Sequence, residues 1–280
     1  MQREGVKIPP RPVKRPNSII FTLYGDFVHK YGDRLWIGSL VRLMAEFRLT
    51  EAAVRQAVSR MSRQGWLIPV KQGNRASYAL TERGIRRVDA IAPRIYEPAL
   101  EWDGRWRLLS YAIPEKNRER RDRLRKDLVL LGLAQLSPST WISPRDIAGT
   151  IRETTHAHGV SEHVHVFLAD YAGPLTDSEL LQRFWDLELI AIAYREFIEY
   201  YAPRIEIERA RGAVSPAEAF VERVWLVQDF RRFLYLDPGL PSALLPAHWP
   251  GSVASALFRE YYRLLSSKAT NFFESILPAG

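Results

Sequence analysis

The chain contains no cysteine in its 280 residues. Disulfides, thiolate metal sites and cysteine nucleophiles are therefore excluded, and a reducing cytoplasm is the expected setting. No uncharged apolar run approaches membrane length, and residues 1–18 are proline-rich and basic instead of apolar, so neither a membrane span nor an export signal is expected. The sixteen glycines are scattered, with no cluster of the kind that cradles phosphates. A Gly-x-Ser-x-Gly nucleophile motif is missing too. The carboxylate pairs Glu206/Glu208 and Glu218/Glu222 stand amid basic residues at helical spacing, where intrahelical ion pairing is the ordinary explanation. No internal repeat is found. These absences leave enzyme chemistry without machinery, and the chain is not expected to be an enzyme.

Positive charge is plentiful but uneven. The net charge of +8 divides into 18 basic against 8 acidic residues over 1–100, 11 against 10 over 101–170, and 11 against 14 over 171–280. The excess of the first hundred residues is the footprint of a surface that meets phosphates. Within it lies the stretch 49–80, LTEAAVRQAVSRMSRQGWLIPVKQGNRASYAL. Thr50 is placed to cap a helix beginning near Glu51. Val54, Val58 and Met61 then fall on one helical face, with Gln56, Ser59 and Arg63 opposite and Arg55 and Arg60 at the flanks. Gly65 is placed to stop the helix. Strand-favouring residues at 66–68 and 77–80 bracket the turn Lys71-Gln72-Gly73-Asn74-Arg75. A basic helix alone is as often a solvated surface. Helix, glycine stop, strand, basic turn and strand in immediate succession instead describe a recognition helix with a wing. The expected DNA contacts are Thr50, Arg55, Gln56, Ser59, Arg60 and Arg63 from the helix, with Lys71, Asn74 and Arg75 from the turn.

Around this stretch the chain divides into segments. Residues 1–17, with four prolines and five basic residues over 2–17, are expected to be a disordered or extended arm, read either as a minor-groove arm or as a solvated tail, the commoner fate of such segments. Helices over 18–30 and 36–47 precede the recognition helix, and these three with the hairpin make an N-terminal winged helix-turn-helix domain over 18–97. A further helix over 81–95 leads out of it. Residues 98–173 read as strand (105–113), helix (115–131), two short strands (134–136 and 140–143), helix (146–158) and strand (163–169). That βαββαβ order is ferredoxin-like. From 174 to 280 the pattern is helical, over 177–204, 216–236 behind a Ser215 cap, and 253–276, giving an all-helical C-terminal domain. The expected class is a multidomain α+β protein.

Four blocks carry a likeness to a known family: VRQAVSRMSRQGWL (54–67), WDGRWRLLSYAIPEKNRERRDRLR (102–125), the segment 132–146 ending in WISPRD, and RRFLYLDPGLPSALLPAHWPG (231–251). Together, in matching order from Ser18 onward, they resemble the PaaX family of bacterial repressors of phenylacetate degradation operons. The resemblance implies a homodimer, palindromic double-stranded operator DNA as partner, and release by an aryl-CoA thioester such as phenylacetyl-CoA, with no other cofactor. The central segment is also similar to the small CRISPR spacer-acquisition nucleases, in which an aspartate ending the first strand is credited with metal binding. The matching position here is Ala112, so the carboxylate that would hold a divalent cation is missing. A subunit interface or scaffold is the expected role of this domain.

An effector of that class requires an apolar slot and cations for its phosphates. Trp185, Tyr194, Trp225, Arg231, Arg232 and Tyr235 are the candidates, although aromatic residues at helical spacing more often fill a core. His156, His158, His163 and His165 crowd into ten residues near Glu162; a zinc site is one reading, and polar residues on a surface strand and loop are the commoner one, so no metal is expected. Three alternatives stay open: a regulator of the same family that senses a different ligand or activates transcription, a metal-dependent nuclease built on the central domain, and a protein that coats DNA without sequence preference.

Overall fold

A computed structural model describes residues 13, 15–72, 75–96, 101–212 and 214–277. In chain order its elements are α1 (Pro16–Asp26), a 3-10 turn at Val28–Tyr31, β1 (Arg34–Trp36), α2 (Ile37–Ala45), α3 (Glu51–Arg63), β2 (Leu67–Gln72), β3 (Arg75–Leu80) and α4 (Glu82–Tyr96). There follow β4 (Trp106–Tyr111), α5 (Arg118–Leu130), β5 (Ala134–Ser137), β6 (Thr140–Ser143), α6 (Ala148–Ala157) and β7 (Val164–Ala169). The remaining helices are α7 (Asp177–Phe184), α8 (Leu187–Arg211), α9 (Pro216–Phe230), the short α10 (Phe233–Leu236) and α11 (Pro250–Ile276). They form two compact units, one from the described residues of Met1–Glu97, Phe197–Arg231 and Ala254–Gly280, the other from those of Pro98–Glu196 and Arg232–Val253. The helical stretch 174–280 is thus shared between the units.

In the first unit, α2 and α3 turn their apolar faces inward. Leu40, Leu43 and Met44 from α2 are buried with Val54, Ala57, Val58 and Met61 from α3, as the i, i+4, i+7 spacing dictates. β3 lies between β1 and β2 in an antiparallel sheet, with Leu35 opposite Tyr78 and Val70 opposite Ser77. The expected helix over 36–47 begins one residue late because residues 34–36 pair with β3 as a strand, and it ends at Ala45. Three residues are too few to show a period of two. α1 likewise ends at Asp26 and gives way to a 3-10 turn, in place of the continuous helix to Lys30 that its apolar pattern predicts.

The aromatic core of this unit joins residues far apart in the chain. Phe27 lies 5.2 Å from Phe220 and 5.1 Å from Phe273, ring centre to ring centre. Beside it Arg223 donates to Asp26 through Nε (2.8 Å) and Nη2 (3.1 Å), and both side chains are buried, at 3% and 0% exposure. The hydroxyls of Tyr96 and Tyr262 donate to the same carboxylate at 2.9 and 2.6 Å. Burial pushes both phenols well above the ordinary tyrosine range. A charge so placed is tolerable because the carboxylate is met by a guanidinium and by two hydroxyls.

In the second unit, β4 is central in an antiparallel sheet of order β5-β6-β4-β7, with α5 and α6 inserted in the chain order βαββαβ. Leu109 and Tyr111 of β4 pack with Leu124 and Leu128 of α5, Ile151 of α6 and Trp141 of β6. Trp106 donates from its indole nitrogen to Asp177 at 2.6 Å and stacks on Trp185. α7 opens on a reciprocal cap between Thr176 and Glu179, two free N–H groups answered at once. The helical reading of 177–204 divides at Trp185, and that of 216–236 divides after Phe230.

Candidate nucleic-acid interface

α3 begins where its cap predicts. The Thr50 hydroxyl accepts from the Ala53 N–H at 3.3 Å, so its polar atom serves the helix end before any ligand. Gln56, Ser59, Arg60 and Arg63 are all exposed, one polar face opposite the buried Val54, Ala57, Val58 and Met61. Arg55 is exposed as well but is bonded to Glu51 one turn back, with Nε at 2.7 Å from Oε1. Among the described residues Arg60 and Arg63 have no ion-pair partner. Lys71, near the end of β2, is exposed, and Arg75 opens β3. Asn74, the remaining wing candidate, lies outside the described residues.

The exit from α3 is built atom by atom. Gly65 takes φ +73, the left-handed conformation that glycine reaches without a Cβ clash. The Gly65 N–H then bonds the Ser62 carbonyl and the Trp66 N–H bonds the Met61 carbonyl, at 3.0 and 2.9 Å, the paired ending that closes a helix on glycine. The next three carbonyls are taken by the start of α4. Gln64 O accepts from Arg83 Nη1 at 3.1 Å, Gly65 O from the Thr81 hydroxyl at 2.7 Å, and Trp66 O from the Thr81 N–H at 3.1 Å. The Arg83 guanidinium also lies 4.2 Å over the Trp66 ring, whose edge meets Phe21 of α1. At Gly84 an added Cβ would stand 2.9 Å from the Trp66 carbonyl oxygen, closer than a side chain tolerates. The sequence does not single out Thr81, Arg83 and Gly84 as part of the site. Their signal, a Thr cap three residues before a glycine, marks a helix start but says nothing of the carbonyls it captures.

The six effector candidates do not fall in one unit. Trp185, Tyr194, Arg232 and Tyr235 belong to the second, Trp225 and Arg231 to the first. Tyr194 is buried, its hydroxyl donating to Asp237 at 2.8 Å and its ring stacked on Phe233. Trp185 donates to the Gly132 carbonyl, Trp225 meets the ring of Phe47, and Arg231 bonds the Thr22 hydroxyl. Arg232 and Tyr235 are exposed. An open groove of about 1050 Å³ between α6 and β7 is lined by Ile151, Arg152, His156, Val164 and Val166, with the buried Arg107 among its walls, and none of the six candidates lines it.

The four histidines find separate partners or solvent. His158 Nε2 lies 2.7 Å from Asp127 and His163 Nε2 lies 3.4 Å from Glu162, while His156 and His165 are exposed. Among the described residues no three His, Asp or Glu side chains are grouped as a metal ion would require. Ala112 is exposed just past the end of β4, its N–H bonded to the His163 carbonyl.

Three family models match successive stretches of the chain. Residues 15–84 match the family described as PaaX-like protein, residues 99–181 the PaaX protein central Cas2-like domain, and residues 185–275 the PaaX-like protein C-terminal domain. The transcriptional repressor PaaX of Escherichia coli strain K12 is 32% identical over 262 residues, covering 91% of this chain and 82% of the repressor. Among solved structures, an uncharacterized protein from Mycobacterium tuberculosis superposes with a TM-score of 0.56 at 21% identity, covering 92% of this chain and 98% of that one, a likeness of fold alone.

Proposed function

The chain belongs to the PaaX family of transcriptional repressors, and on that premise we propose that it represses an aromatic, phenylacetate-type catabolic operon and leaves its operator when an aryl-CoA thioester such as phenylacetyl-CoA binds. The observation that carries the DNA half of this reading is the solvent-facing row Gln56, Ser59, Arg60 and Arg63 on α3, set beside the hairpin of β2 and β3. Helices α1 to α3 with the sheet β1-β3-β2 are read as a winged helix-turn-helix. The order βαββαβ with strands arranged β5-β6-β4-β7 is read as ferredoxin-like. Gln56, Arg60 and Arg63 are assigned to base edges, Arg55 and Ser59 to the same groove, and Lys71, Asn74 and Arg75 to the backbone or minor groove. A homodimer would place two such helices on a palindrome about one helical turn apart.

The test starts from DNA selected by the full-length protein out of random sequence. Fluorescence anisotropy on the selected duplex should show binding far tighter than on unrelated duplex at equal salt, two protomers per site by light scattering, and dissociation on adding phenylacetyl-CoA but not free CoA. Equal affinity for every duplex would sink the repressor reading. A site-specific complex indifferent to a panel of aryl-CoA esters would sink the effector.

A further inference from the structure

We propose that Arg83, together with Thr81, is a positioning residue for DNA recognition: it locks the end of α3 to the base of the hairpin so that helix and wing meet one duplex as a single body. The inference rests on α3 and the hairpin being the DNA-contacting elements. Residues 64–66 are where a hinge would be expected, since a left-handed glycine interrupts the chain between two elements. They are held at three successive points. The carbonyls of Gln64, Gly65 and Trp66 all accept from Arg83 or Thr81 of the chain entering α4. Two of those bonds end on Thr81, which directly follows β3. The hairpin is therefore pinned at both of its feet, Trp66 where it leaves α3 and Thr81 where it returns.

Arg83 suits this task in a way lysine would not. Its flat guanidinium lies on the Trp66 indole while Nη1 donates to the Gln64 carbonyl; an ammonium has no plane to stack and no fork to divide between ring and carbonyl. Gly84 contributes by leaving room for α4 to approach the Trp66 carbonyl. The consequence concerns geometry. Arg63 lies one residue before the clamped segment and Lys71 lies out along β2. Contacts from two elements reinforce one another only when their spacing matches the spacing on the target, and a spacing set in the free protein need not be imposed at binding.

Since the chain has no cysteine, a spin-label pair can be placed by Ser59→Cys and Lys71→Cys in the full-length protein without removing native thiols. Pulsed electron resonance should give a narrow distance distribution in this background and a broad one when Arg83→Ala or Arg83→Lys is added. In the unlabelled protein both Arg83 variants should lower the ratio of selected-site to unrelated-DNA affinity by about tenfold, with the dependence on salt unchanged. Thr81→Val should act in the same direction. If Arg83→Lys keeps the unsubstituted ratio while Arg83→Ala loses about one unit of salt slope, Arg83 is a phosphate contact and the clamp is overturned. Unaltered distance distributions would overturn it equally. A parent protein with no site preference would instead sink the DNA reading beneath it, so the two failures are told apart.

Discussion

The arginines of α3 are not equivalent in the free protein. Arg55 is already ion-paired with Glu51 at i−4, an exposed pair of the kind that contributes only a few tenths of a kcal/mol to a helix. Binding through Arg55 must first release that carboxylate or bring it against DNA. Arg63 has no such prior claim among the described residues, and it stands on the polar face one turn beyond Ser59. Arg63→Ala is accordingly expected to weaken binding to the selected duplex by about 1–3 kcal/mol if it reads a guanine, and Arg55→Ala by less. Anisotropy titrations of both variants on selected and unrelated duplex measure this. A loss for Arg63→Ala that is equal on both duplexes would assign it to phosphate instead of a base edge.

Elements of the first unit are joined by a carboxylate that no local pattern announces. Asp26, the last residue of α1, meets Arg223 of α9 and Tyr262 of α11, and Arg223 reaches Thr270 as well. Asp26→Asn strands a buried guanidinium without its counter-charge and is expected to destabilise this unit by about 3–5 kcal/mol. Adding Arg223→Met should restore part of that, because removing both charges also removes the desolvation cost. Denaturant unfolding followed by tryptophan fluorescence checks both values, and an Asp26→Asn loss below about 1 kcal/mol, the scale of an exposed pair, would mean that water reaches the site. This contact also marks the reach of local sequence patterns. The period of α3, its Thr50 cap and its Gly65 stop are properties of neighbouring residues and are legible in the sequence alone. The same holds for the order βαββαβ, which alternates period and turn chemistry within short windows. β1 escapes such a reading because it exists only through pairing with β3. The division of helices 174–280 between two units depends on contacts such as Asp26 with Arg223, 197 residues apart in the chain. The grip of Thr81 and Arg83 on residues 64–66 is equally non-local, since a cap motif names its own helix and not the carbonyls it will take from another element.

At the scale of the molecule, the positive excess of the first hundred residues stays within one of the two units. The residues of the first unit carry 26 basic against 16 acidic side chains, those of the second 14 against 16. Positive potential is therefore concentrated in the unit that bears α3 and the hairpin, and a DNA-binding reading needs no contribution of net charge from the other. Operator affinity should fall steeply with salt in consequence, because each neutralised phosphate releases condensed counterions. The release proposed for an aryl-CoA ester has a further consequence that does not depend on where the ester sits. A ligand moves an equilibrium only by the difference in its affinity for the two states, and that difference is shared with the other ligand: if the ester lowers operator affinity by some factor, operator must lower ester affinity by the same factor. Isothermal titration of phenylacetyl-CoA into free protein and into protein saturated with the selected duplex gives one side of the cycle, and anisotropy at increasing ester concentration gives the other. Equal, finite factors that level off at saturating duplex are expected of a separate effector site. A loss of ester affinity that keeps growing as duplex is raised would mean that the polyanionic ester competes for the basic surface of α3 and the wing, in which case free CoA, carrying the same phosphates, would release the operator just as well.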